Sequence, residues 1–332
     1  MSPLPSRQPI RLAALVAGAG LALAALSAAA QAPLLVSDAT ITLADSKGKF
    51  DFLEIDATRH RLLAAHEKDG TADFLDLKSG AILARLKVGP AVGLAVDAQA
   101  DKYYVSVQDD KRVAIIDAAT LRETGSIALD GETDDILFDA KDRRVYVTND
   151  NGKFLWAIDA DTAKVTAAIA IPGAPECMAH DAAADRIYLN LKTADAVAVI
   201  DTKSQAVVAL WPTAPATGPH GLAFDAASGR VFASGDNGQL VVIDTKTGKV
   251  MGSAPITPHV DQIAFDSGSQ RIYCAGPEKM SVVQATRAGI EFLGDVPTAA
   301  TAKNVAVDPS THQVWTTYTD GRNSYAKSWR QP

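Results

Sequence analysis

The chain has 332 residues, 47% apolar and 21% charged, with 39 acidic against 32 basic side chains. That composition is ordinary for a globular protein and ample for a large core. The acidic surplus, formally −7, disfavours nonspecific binding along phosphate backbones.

Residues 1–30 stand apart. Arg7 and Arg11 precede a continuous apolar run from Leu12 to Leu26, and Ser27-Ala28-Ala29-Ala30 offers a small-residue cleavage site. This is the pattern of a secretory signal peptide cut after Ala30, and the apolar run is short for a membrane span. The expected mature protein is periplasmic or secreted, without a membrane span, and carries 30 basic and 39 acidic residues. Cys177 and Cys274 are then the two cysteines of an exported chain, expected as buried free thiols rather than a disulfide.

From residue 31 onward the chain repeats itself. An apolar-x-Asp run, a turn and a strand containing Tyr, Phe or Leu recur at Asp56, Asp97, Asp139, Asp181, Asp225, Asp266 and Asp308, a period of about 42 residues. A second marker, an apolar-Asp-x-x-Thr or -Ser turn, falls at Asp76, Asp117, Asp159, Asp201 and Asp244, with Gln284 in its place in the sixth repeat. Each repeat therefore holds four short strands. Seven such units in one domain, 31–332, predict an all-β, seven-bladed β-propeller of four-stranded antiparallel blades. The last repeat is one strand short, and the strand-like run Leu35 to Leu43 near the N-terminus is unassigned. Placing that run as the missing outer strand closes the ring and pairs its edges.

In the third repeat the second strand reads Tyr146-Val147-Thr148-Asn149, and the fifth contains VVIDTKTGKV over 241–250. On these motifs the chain resembles the YVTN-repeat β-propellers of exported bacterial proteins, over essentially all of its mature length. The resemblance implies the architecture. It leaves function open, since such propellers serve as binding modules, scaffolds and enzymes.

Five positions before each first-marker aspartate stand Asp51, Val92, Asp134, Glu176, His220, Asp261 and Lys303. Strand starts and the loops between second and third strands are expected to meet at one mouth of the central channel, so these residues form a ring there. It admits three readings: a solvated or salt-bridged rim, a hard-cation site such as Ca²⁺ held by Asp51, Asp134, Glu176 and Asp261, or an acid/base pair of His220 with Glu176. The loops add His66, Asn149 and Tyr318, which with Lys303 are candidate ligand contacts, and His66 could pair with His220 across the mouth. The proline-rich link over 211–219 is placed to wall one side.

There is no C-x-x-C-H haem site, Walker A loop, G-x-S-x-G elbow or EF-hand loop. The leading expectation is an exported binding module that takes a small molecule or a periplasmic protein at its mouth. One alternative is a metal-assisted lactonase or lyase in which Asp134, Glu176 and Asp261 hold the cation and His220 moves protons. The other is single-stranded nucleic acid binding, which needs a basic groove with stacking aromatics and is disfavoured by the charge.

Overall fold

The computed structural model describes residues 1–3, 32–150 and 152–332. The leader expected over 1–30 lies, after its third residue, outside the described residues. Among the described residues no helix is long and apolar enough to cross a membrane.

Alternating and β-branched runs such as RVYVTN and AVAVID favour extended backbone, and strands pair with their sequence neighbours except where the first joins the last. Six four-stranded antiparallel sheets follow in order over 53–87, 91–128, 133–170, 175–212, 219–255 and 262–297. The seventh runs from Val305–Val307 through Val314–Thr319 and Ser324–Arg330 to Val36–Leu43. In that last pairing Val36 lies opposite Arg330 and Leu43 opposite Ser324. The seven blades and the closure by the N-terminal strand are as the repeat arithmetic predicts.

Burial grades outward across each blade. The second and third strands are buried on both faces, as in Arg144–Asn149 and Ala196–Asp201. Outer strands alternate between half-buried and exposed, as in Ala206–Pro212. The apolar side chains gather into seven clusters, one at each contact between neighbouring blades. Rings meet across these seams: Phe74 stacks on Tyr103 at 5.5 Å, and Phe232 lies 5.2 Å from Phe265. Each blade thus covers the face its neighbour exposes, which is why one repeat cannot stand alone.

The repeated aspartates have a turn-forming role. Asp159 Oδ1 accepts hydrogen bonds from Thr162 N and Thr162 Oγ1, both at 2.7 Å, and Asp56, Asp117 and Asp244 act alike. Four residues beyond each first marker the backbone is left-handed: His60, Asp101, Arg143, Asp185, Gly229, Gln270 and His312 all have positive φ. The aspartate ties down the turn N–H groups, which holds non-glycine residues in that conformation.

Candidate functional site

The inner strands bring the ring together by means invisible in their spacing. In blades 2 to 5 the pairing with the second strand slips near the start of the inner strand. The slips lie between Ala91 and Gly93, Thr133 and Ile136, Pro175 and Met178, and Pro219 and Leu222. Val92, Asp134, Glu176 and His220 all fall within these irregularities. A bulge bends its strand and re-aims the extra side chain.

The strongest contact links two ring members. His220 Nε2 lies 3.0 Å from Glu176 Oε2, and His220 Nδ1 donates to the Asp261 carbonyl at 2.9 Å. Lys192, just past the second strand of blade 4, brings Nζ to 3.2 Å from Glu176 Oε1 and 3.7 Å from Asp236. Burial alone would raise the Glu176 pKa, but the hydrogen bond and charge of His220, joined by Lys192, hold it below the ordinary value. Burial likewise opposes a charge on His220, and the Glu176 carboxylate outweighs it, so the imidazole pKa is raised.

The other carboxylates are crowded rather than paired. Burial raises Asp51 to about 7, with Glu67 and Asp261 adding to the rise and Lys49 opposing it. Asp134 makes no side-chain hydrogen bond or ion pair among the described residues, and burial with the charges of Asp51 and Glu176 pushes it well above the usual carboxylate range. The ring residues of blades 1, 3, 4, 5 and 6 therefore feel one another's charge. Lys303 pairs with Asp261 at 3.7 Å, and the cation beside Asp51 is Lys49, itself 3.2 Å from Glu67.

Of the three loop residues, His66 and Asn149 are buried. His66 is fully buried, not facing His220 across the mouth: it stacks on Phe50 at 3.8 Å, and its Nδ1 lies 2.9 Å from Asp73 Oδ2. The segment between the N-terminal strand and blade 1 covers it, with Gly48 O 3.1 Å from Nε2. Asn149 is buried and donates from Nδ2 to Glu132 O at 3.0 Å, tying a loop rather than offering a contact. Tyr318 stacks on Tyr325 at 4.9 Å. Cys177 and Cys274 are both buried and free, as expected, and burial pushes the Cys177 thiol well above its ordinary value.

A second tier stands beside the ring. Glu67, Gln108, Asp150, Lys192 and Asp236 stand eleven residues after their marker aspartates, one beyond the offset that gave His66. Four of them link neighbouring blades, Gln108 Nε2 to Asp150 Oδ2 at 2.9 Å and Lys192 Nζ to Asp236 Oδ2 at 3.7 Å. Below the ring, a cavity of about 430 Å³ occupies the channel, lined mainly by apolar residues with Glu54, Asp135, His180 and Gln262 among them. Gln262 spans three blades there: its Oε1 accepts from Leu53 N at 3.1 Å and Val305 N at 3.2 Å, and its Nε2 donates to Leu53 O at 2.8 Å. Among the described residues no group of three or more His, Cys, Asp or Glu side chains is arranged to hold a metal ion. Glu176 has His220 and Lys192 as its ion-pair partners.

Fold and site together define a seven-bladed β-propeller with a charged channel mouth above a cavity in the channel. The family profile PQQ_2, described as outer membrane protein assembly factor BamB, matches residues 68–286, and the chain belongs to that family. No curated protein matches the chain significantly. Among solved structures it resembles Kuenenia stuttgartiensis hydrazine synthase at TM-score 0.75 and 14% identity, over 87% of this chain and 97% of that one. It also resembles the RRP9 WD40 repeats at TM-score 0.76 and 8% identity, over 89% and 100% of the two chains. The structure of U3-55K matches at TM-score 0.74 and 9% identity, over 87% and 98%. At these identities the likeness is one of fold.

Proposed function

We propose that this protein is an exported interaction module, of the YVTN-repeat type in its blade motif, whose acidic channel mouth docks a protein partner. The observation that carries the reading is the convergence of ring residues from five blades. Asp51 and Asp134 are crowded carboxylates with no ion pair, beside Glu176 and Asp261 with theirs. Such a surface favours a partner segment rich in lysine or arginine, which would relieve the like-charge crowding. The family description names an assembly factor of outer membrane proteins, which supports both a protein partner and export. The leader pattern of residues 1–30 supports periplasmic or secreted placement.

A metal-assisted lactonase or lyase draws less support, because Glu176 is held by two cations and both His220 nitrogens are already engaged. Single-stranded nucleic acid fits poorly against crowded carboxylates.

The test is site-specific photo-cross-linking in the native host. A cross-linker at exposed Glu132, on the mouth rim, should capture a discrete partner. One at exposed Lys246, in a turn at the opposite end of blade 5, should not. The mouth adduct should fall at least about five-fold when Asp51→Asn and Asp134→Asn are combined, a modest loss for two charge contacts. Equal capture from both ends, or an adduct indifferent to the double substitution, would refute docking at the mouth.

A further inference from the structure

Two residues before the first-marker aspartates stand Glu54, Ala95, Leu137, Ala179, Ala223, Ala264 and Ala306. Five of these, Glu54, Ala95, Leu137, Ala264 and Ala306, line the channel cavity. Alanine serves five blades and leucine a sixth, so nothing in the architecture demands a carboxylate in this layer. Burial there is costly for a charge without compensation, and it raises Glu54 to about 7.

The carboxylate is also incompletely used. Oε1 accepts a hydrogen bond from Ile55 N at 2.9 Å, while Oε2 has no hydrogen bond or ion pair among the described residues. Asp135 lies within electrostatic reach and is itself held by Ile136 N at 2.8 Å and Met178 N at 2.7 Å. No cationic side chain of the described residues pairs with either group. The cavity lining includes the aliphatic residues Leu94, Ala95, Ile263 and Ala264, beside the polar Asp135, His180 and Gln262.

We propose that the channel cavity is a binding site for a primary alkylammonium group, with Glu54 Oε2 as its ionic partner and the aliphatic walls against its methylenes. A cavity lined by aliphatic residues, with one carboxylate oxygen left free, suits a ligand that is an alkyl chain ending in a positive charge. A single free oxygen suits the point charge of an ammonium better than the paired donors of a guanidinium, which need both carboxylate oxygens. A hard divalent cation needs about six oxygens, and the donor set is not there. The ammonium could belong to a lysine side chain of a docked protein or to a free amine. The inference goes beyond docking at the mouth, which does not require a filled channel.

Calorimetric titration of the protein with 1-aminopentane, 1-pentanol and pentylguanidine tests it. The amine should bind at least about ten-fold more tightly than the alcohol and more tightly than the guanidine. Glu54→Gln, which keeps the shape and the Ile55 contact, should weaken the amine by about ten-fold or more. Should that variant fail to fold, Ala264→Leu, which narrows the cavity from another wall, should give a similar loss. No amine binding, equal binding of pentanol, or an amine affinity unchanged by the folded variants would overturn the proposal. The tripeptide N-acetyl-Gly-Lys-Gly-amide separates the sources: tighter binding than 1-aminopentane assigns the ammonium to a partner's lysine, weaker binding to a free amine. Cross-linking at the mouth that persists while amine binding fails would remove this inference alone.

Discussion

Asp134 is the residue at which architecture and charge conflict most openly. It sits in a bulge, has no hydrogen-bond partner for its side chain, and faces the charges of Asp51 and Glu176. With Asp51, Glu54 and Asp135, each raised to about 7, it gives the folded protein a set of carboxyls that hold protons longer than the unfolded chain does. Near pH 2 both states are protonated and the groups contribute no difference. As pH rises from about 3 to about 7 the unfolded chain loses protons that the folded one keeps, so stability falls across that window. Urea unfolding should show it, and Asp134→Asn should be neutral near pH 2 yet stabilising by on the order of 1 to 2 kcal/mol at pH 8. A loss of similar size at both pH values would mean that the carboxylate is structurally required. The Glu176–His220 pair was half-legible: equal offsets from two markers gave both names, but the 3.0 Å approach depends on the bulges. Spacing alone placed His66 at the mouth, because the loop offset carries no information about the segment that folds over it.

Turns are the elements that set the register of every blade, and they were the most legible part of the chain. The recurring aspartates and the Thr or Ser three residues on are local chemistry, made by hydrogen bonds within four residues. Among the described glycines with a left-handed backbone, Gly248 has the least room for a side chain. Its φ is 67°, and an added Cβ would lie 2.3 Å from Trp211 Nε1. Gly248→Ala should therefore destabilise by about 2 kcal/mol, combining left-handed strain with the clash. Denaturant unfolding would measure it, and a wild-type midpoint would show that Trp211 moves aside freely. The bulges at the inner strand starts, by contrast, have no sequence signature here. Pro175 and Pro219 precede two of them, while Ala91 and Thr133 precede the others.

At the scale of the whole ring, stability rests on the seam where the two ends of the chain meet. Leu35 and Trp329 are buried with Tyr273 and Val282 of blade 6, and Leu43 with Trp315 and Leu62 of blades 7 and 1. Ser46 Oγ donates to Ser324 Oγ at 3.0 Å and lies 3.3 Å from His66 Nε2, so the buried histidine joins blade 1 to both ends. Deleting residues 33–43 strips the outer strand from blade 7 and opens this seam. The thermal midpoint should drop by about 10 °C or more, or the chain should become insoluble through its exposed strand edge. A deletion variant as stable as the parent would show that the three remaining strands close the ring unaided.

The sequence by itself determined the repeat, the blade count, the turn chemistry and the closing strand, because each follows from apolar periodicity and hydrogen bonds among near neighbours. It also named the ring positions, since seven copies of one strand must present equivalent residues to one axis. Only the tertiary structure decided which of those residues touch. Bulges turned Glu176 and His220 together, Lys49 and Lys192 arrived from outside the ring, and the segment before blade 1 buried His66. Glu54 stood in the sequence as one acid among alanines, and its meaning appeared only once the channel around it had walls.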